Sequence, residues 1–478
     1  VLTRPNEHRK LMITVLSMMG LMAAPSASEL TVYNQGLGFV KEVRAIKLKK
    51  GTQTVAVENV AARIDTTSVG FKCLSKPGSV SVLEQNYQYD LISPAAILGK
   101  SVGKKIRFTR TMGTQKESVE GILLSSPTSV NGNDGTMSYN GLVMQTNDGR
   151  IILSPQGEIE VMEIPEGLIS KPTLIWEMDS EADQNADIEL SYLTSGMSWN
   201  ANYVLTLDKS GKADLQGWVT MTNNSGISFK DTKLKFLAGD VNMVQPPRVE
   251  FAAMMADGGA RRAKNEMKEE SLFEYHLYTL ERPATVRDKE AKQLSLLEGF
   301  DVPVTKEIIF DSMTGFGTYY PSEGEVGVGD LSPQVKVRFV NDKKSNLGQP
   351  MPAGKIRLYQ RDESGSVQFI GEDQINHTPQ DETLKLTVGR SFDIRASRKR
   401  TEFKRLSDRS FRETFEIEVR NRKKVAESVV LLERHWGDWK VTEKSAVFTK
   451  ADANTMQFDL SLKAGEVRKV TYTVETRW

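Results

Sequence analysis

Residues Lys212–Asn223 read KADLQGWVTMTN, and this run constrains the fold more than any other in the chain. Ala213, Leu215, Gly217, Val219 and Met221 alternate with Asp214, Gln216, Trp218 and Thr220. A period of two puts one set of side chains on a core face and the other on the opposite face, which describes a β-strand and no helix. Tyr203–Asp208 and Thr232–Val244 flank it as further strands, separated by Lys-Ser-Gly and Asn-Asn-Ser-Gly turns. Trp199 and Tyr203, four apart at the strand entry, face one side of an extended segment and read as packing anchors.

Runs of this kind recur from one end of the chain to the other. The expectation is a mainly β protein of several antiparallel β-sandwich (immunoglobulin-like) domains with a small β-barrel insert. A chain of 478 residues exceeds one hydrophobic core. Residues 29–172 read as an N-terminal β domain, with the barrel insert at about 100–162. Its hairpin signals are Asn133-Asp134-Gly135 and Asn147-Asp148-Gly149, residues that tolerate positive φ. Just before it, Ser93–Leu98 suits one helical turn. Residues 173–244 follow as a β-sandwich region, and 245–271, with Pro246-Pro247 and Gly258-Gly259, as a linker. Residues 272–405 form another β domain and 406–478 an immunoglobulin-like C-terminal domain.

The first 28 residues read as a secretory signal peptide. Arg4, Arg9 and Lys10 precede the apolar run Leu11–Ala24, which ends in Pro25-Ser26-Ala27-Ser28. The run is shorter than the roughly 20 residues of a spanning helix, and no later run is longer, so no transmembrane segment is expected in the mature chain. Export to the periplasm or the extracellular space follows as an expectation. Without the leader, Lys+Arg falls from 63 to 60 and Asp+Glu from 62 to 61, a net charge of −1. Such a balance argues against a nucleic-acid partner.

Few residues suggest chemistry. Cys73, the single cysteine, sits in an alternating run and reads as a buried, inert thiol. His276 has no companion at ligand spacing, so no metal and no cofactor are expected. Asp179–Asp187 has acids two apart but lacks the glycine and closing Glu of a calcium loop, and reads as a solvated hairpin tip. Two segments carry the candidate partner surface. Asp311–Asp330 is a loop with five Gly that presents Phe316, Tyr319 and Tyr320. A basic cluster includes Arg395, Arg398, Lys399 and Arg400, complementary to an anionic surface polymer or an envelope protein. An exported hydrolase with paired carboxylates is the alternative, with Asp240, Glu372 and Asp393 as candidate acids. A non-enzymatic envelope scaffold is the preferred reading.

Several ordered motifs carry a family likeness. They include Ser191-Tyr-Leu-Thr-Ser-Gly-Met-Ser-Trp199, Asn223-Asn-Ser-Gly226, Leu237-Ala-Gly-Asp-Val241 and Tyr275-His-Leu-Tyr-Thr-Leu280. Pro350-Met-Pro-Ala-Gly-Lys-Ile-Arg-Leu358, Phe369-Ile-Gly-Glu372 and Gly389-Arg-Ser-Phe-Asp393 continue the series. Together they resemble a bacterial domain-of-unknown-function family, numbered four-one-three-nine, with mucoidy-inhibitor-A-like members. Those members usually carry a coiled-coil segment that this chain lacks. The resemblance implies an exported, β-rich protein and supplies no catalytic residue or cofactor.

Overall fold

The computed structural model describes residues 20–90, 92–112, 115–127, 129–133, 136–154, 157–163, 165, 168–239, 241–242, 267–313 and 327–478. It is mainly β, and among the described residues one short α-helix, Pro94–Lys100, begins where the sequence places a helical turn. Ser93 caps that helix by accepting from the Ala96 amide, and a proline opens its first turn.

The chain divides into two compact units that do not follow its linear order. One comprises Val1–Ser198, Thr222–Lys235 and Pro283–Ala291; the other comprises Trp199–Met221, Phe236–Arg282 and Lys292–Trp478. The expected region 173–244 is therefore not self-contained. Its third strand, Met197–Leu207, pairs in parallel with Gly354–Arg361, far downstream. A parallel partner requires a long crossover, and turn signals do not announce it.

In the first unit, Leu37–Leu48 pairs with Ala27–Tyr33 on one side and Gln184–Ser195 on the other. A second sheet pairs Thr173–Ser180 with Gly51–Glu58 and Val80–Gln88. The Phe71 ring meets the Trp176 ring edge-on at 5.5 Å, joining the two sheets face to face. Cys73 is buried in this unit, as its alternating setting predicts. The acidic stretch Asp179–Asp187 differs from expectation. Thr173–Ser180 and Gln184–Ser195 belong to different sheets, so the turn between them is a corner joining two sheets, not a hairpin tip. Asp183 there accepts from the Lys50 amide and pairs with Lys49 at 3.2 Å.

The insert is an open five-stranded sheet, not a barrel. Lys105–Met112 and Gln115–Ser125 pair along their length, and Val143–Thr146 and Ile151–Leu153 extend the sheet on one side. Glu158–Val161 adds to the other side. Among the described residues the two outer strands do not pair, so the sheet keeps its edges. Closure needs matched strand tilt and stagger, and strands of three and four residues leave little length for either.

In the second unit the Lys212–Asn223 strand follows its sequence pattern. Ala213, Leu215, Gly217, Val219 and Met221 are all buried. A Cβ on Gly217 would lie 2.9 Å from Leu297 and 3.1 Å from Tyr203, so the missing side chain makes room for the tyrosine. Trp199 and Tyr203 are 2% and 1% exposed, packing anchors as read from the sequence. Trp199 Nε1 donates to the Leu237 carbonyl, and the Tyr203 hydroxyl donates to the Pro352 carbonyl at 2.8 Å.

This unit also contains a sandwich of a six-stranded and a five-stranded sheet. Phe310, Leu431 and Phe458 from one sheet and Ile394, Ile417 and Val470 from the other share its core. The sandwich begins earlier than residue 406. It includes Thr305–Asp311, Gln334–Val340, Thr383–Arg390 and Ile394–Ser407, and the expected boundary cuts the hairpin of Ile394–Ser407 with Ser410–Asn421. Hairpin partners are local, and so the strand before the turn belongs with the one after it.

Candidate functional site

The expected partner surface meets three fates. Phe316, Tyr319 and Tyr320 lie outside the described residues. Arg395 and Lys399 are exposed, and Arg395 donates to the Ser332 hydroxyl at 2.6 Å. Arg398 and Arg400 point inward from the same strand. The reason is register. Ile394 and Ala396 are core residues, and two more steps of two along the strand bring Arg398 and then Arg400 onto the core face.

Arg398 is 2% exposed and crosses the sandwich. Its Nε donates to Glu433 Oε2 at 2.9 Å, from the opposite sheet. The Tyr472 hydroxyl donates to the same oxygen at 2.6 Å. The guanidinium lies 3.8 Å over the Phe415 ring, a cation–π contact in a site sealed from water. Burial pulls the Arg398 pKa down, but the charge and hydrogen bond of the Glu433 carboxylate outweigh it and the net shift is upward. Burial holds the Tyr472 phenol well above its usual range, with the Glu433 carboxylate adding to the effect. Beside this triad, Arg400 pairs with the buried Glu413 at 3.0 Å.

His435, two residues beyond Glu433, is buried between Tyr472 and Trp439, with ring centroids 5.7 and 4.9 Å away. Burial depresses its pKa to about 3, and the positive charges of Arg398 and Lys450 push the same way. The imidazole is therefore neutral at ordinary pH. Trp439 is held in turn by its Nε1, which donates to the Ala453 carbonyl at 2.9 Å.

On the outer face of the five-stranded sheet, a groove of about 590 Å³ runs past Asp330, Lys399, Glu416, Glu418, Arg420 and Lys469. Its charges alternate and neutralise one another. Arg420 pairs with Asp330 at 3.0 Å and with Glu418 at 3.2 Å, and Lys469 with Glu416 at 3.2 Å. Lys399 stands opposite Glu416 in register. The cluster read as a basic surface is thus divided between core ion pairs and a balanced cross-strand ladder.

Glu372 and Asp393, two candidate acids of the hydrolase reading, are placed by strands of different sheets. Glu372 pairs with Lys355 at 3.2 Å and Arg357 at 3.6 Å on one sheet. Asp393 sits at the turn leading into a strand of another sheet, and Asp240 is outside the described residues. His276 contacts Glu269 at 2.7 Å across the Met267–Leu272 and Tyr275–Leu280 hairpin. Among the described residues no cluster of His, Cys, Asp and Glu is arranged to hold a metal ion, and no helix is long and apolar enough to cross a membrane.

Glu413, Glu433, Tyr472 and His435 were not singled out from the sequence. The signal that finds the two acids is a charge in the core phase of a strand. Phe411-x-Glu413-x-Phe415 and Val429-x-Leu431-x-Glu433 both place a carboxylate where alternation demands an apolar residue. The first unit repeats the device in Val40-x-Glu42-x-Arg44-x-Ile46. Glu42 and Arg44 pair at 2.6 Å, both almost fully buried, and Arg44 also donates to the Glu58 carbonyl at 2.7 Å. No protein-family model matches this sequence, and no characterised protein is similar enough to lend it a family.

Proposed function

We propose that this chain is an exported, non-enzymatic scaffold of the cell envelope that binds an anionic surface polymer. One observation carries the reading. The buried charges are matched with one another inside the sheets: Glu42 with Arg44, Arg398 with Glu433, and Arg400 with Glu413. Catalytic acids and bases need open access to substrate. Arg400–Glu413 joins neighbouring strands and Arg398–Glu433 joins sheet to sheet, as a rigid framework requires, while Glu42–Arg44 is closed off within one strand. The basic, apolar, small-residue order of the N-terminus supports export.

The test is retention against turnover. The purified protein is passed over immobilised polygalacturonate, polyphosphate and neutral dextran, and the flow-through is assayed for released sugar and orthophosphate. Retention on an anionic polymer without release is the expected result. Release of product, or passage through all three columns, overturns the reading.

A further inference from the structure

Between the edge strands Asp438–Lys444 and Thr449–Lys450, the open side of the C-terminal sandwich holds a second cleft of about 260 Å³. Trp439 and Phe448 line it with Thr442, Lys440, Lys444 and Lys450. The Lys450 ammonium lies 4.1 Å over the Trp439 ring, and that of Lys444 lies 4.7 Å over the Phe448 ring. The aromatic walls are fixed from behind. Trp439 rests on His435 and donates to Ala453, while Phe448 packs edge-on against Phe458 at 6.0 Å.

Several cations of the sandwich are matched by an acid. Lys306, Arg412, Arg420, Lys423, Arg434 and Lys469 each hold a carboxylate. Among the described residues, no carboxylate comes within ion-pair distance of Lys440, Lys444 or Lys450. Of the neighbouring acids, Glu475 accepts from Arg412 and Asp452 from the Asn454 amide.

A β-bulge produces this sorting. The pairing of Asp438–Lys444 with Val467–Arg477 shifts between Val441 and Glu443. After the shift, Lys444 stands opposite Tyr472, whose side chain is in the core, so Lys444 takes the phase of Trp439 and Val441. Without the extra residue Lys444 would project from the other face. Bulges re-aim side chains in this way at functional positions.

From this geometry we infer that the cleft binds one sugar ring carrying a carboxylate or a phosphate. Phe448, the less buried of the two rings, offers its remaining surface to the C–H face of a pyranose, while the buried Trp439 holds Lys450 in place. Compact ammonium groups above those rings take the anion as point charges. The volume lies just under the ~300–1,000 Å³ of drug-sized pockets, which suits a single ring more than an extended chain. The assignment rests on the polymer-binding reading only in its biological setting, since it names the unit of such a polymer that the chain grips.

The experiment titrates the full chain with D-galacturonate, glucose 6-phosphate, inorganic phosphate and glucose, followed by tryptophan fluorescence and calorimetry. The two anionic sugars bind, and glucose does not. Inorganic phosphate, which gains nothing from the aromatic walls, binds about tenfold more weakly or worse. The double variant Lys444→Gln/Lys450→Gln loses about tenfold or more in affinity for galacturonate, whereas Lys399→Gln in the outer groove leaves it unchanged. Equal affinity for glucose and galacturonate overturns the assignment, as does a double variant that binds like the parent. Phosphate binding as tightly as the sugar phosphate reduces the cleft to an ion site and overturns it too. Polygalacturonate retention that survives the double substitution overturns the cleft and leaves the scaffold reading standing. Galacturonate bound in the cleft without retention of any polymer supports the cleft and overturns that reading.

Discussion

Arg398 and Glu433 stand on opposite sheets of the C-terminal sandwich, and their side chains meet at 2.9 Å in a core built largely of aliphatic and aromatic residues. Desolvating two charges costs several kcal/mol each, so such a pair gives little net stability, yet breaking it on one side is expensive. Arg398→Met leaves Glu433 buried without its cation and lowers stability by about 3–5 kcal/mol. The triple variant Arg398→Met/Glu433→Leu/Tyr472→Phe removes every member of the triad and recovers most of that loss. Hydrogen exchange of the Glu427–Arg434 strand in urea measures both effects within this sandwich. A triple variant as unstable as the single one would refute the account.

Acid acts on the same region through His435. Its pKa falls from 6.5 to about 3 in the folded state. Between those values the unfolded chain binds a proton that the folded chain does not. Stability therefore declines as pH falls through this window, by about 3 kcal/mol between pH 7 and pH 4. His435→Phe retains a ring against Trp439 and removes the titration. The difference between parent and variant in urea midpoint against pH should then show the histidine's share, largest at pH 4. Parallel profiles would contradict it.

Why the basic cluster misled is visible in the strand itself. A run containing Arg395, Arg398, Lys399 and Arg400 reads as surface by composition. Counting in twos from Ile394 and Ala396 places Arg398 in the core, and that much is present in the residues. Its partner is not. Glu433 lies 35 positions away on another sheet, and no local rule selects it. The same limit explains the insert and the 179–187 turn. Turn residues identify where a strand ends, but strand closure and change of sheet depend on pairing between distant segments. By contrast, the alternation of Ala213–Met221, the packing of Trp199 and Tyr203 and the burial of Cys73 are local properties, and all were legible. The cleft at Trp439 was not, because its lysines gain meaning only when a bulge and two edge strands bring them over one aromatic floor.

Two tyrosines fasten the segment that precedes the Gly354–Arg361 strand. Tyr203 donates to the Pro352 carbonyl, and Tyr278 to the Pro350 carbonyl at 2.9 Å. Burial raises the pKa of both phenols, so both remain protonated donors. Tyr203→Phe preserves the packing against Gly217 and leaves a buried acceptor without its partner. The expected loss is about 1–2 kcal/mol, read as a lower thermal midpoint. A midpoint equal to that of the parent would show that water replaces the phenol at no cost.

Gly354 begins that strand opposite Ala201, where the chain makes its long parallel crossover. A Cβ at Gly354 would run into the Ala201 carbonyl oxygen, and its second close neighbour is also backbone. Neither can yield by a rotamer change, so the two strands must move apart and stretch the ladder. Gly354→Ala should cost about 1–3 kcal/mol, the usual range for overpacking. Gly389→Ala supplies the control, since a Cβ there meets nothing within 4 Å and its φ is not positive. That substitution should be neutral or slightly stabilising, because alanine restricts the unfolded chain. Thermal unfolding of the two variants beside the parent separates close backbone approach from the general effect of replacing a glycine in a strand. Equal midpoints for the two would remove the steric explanation.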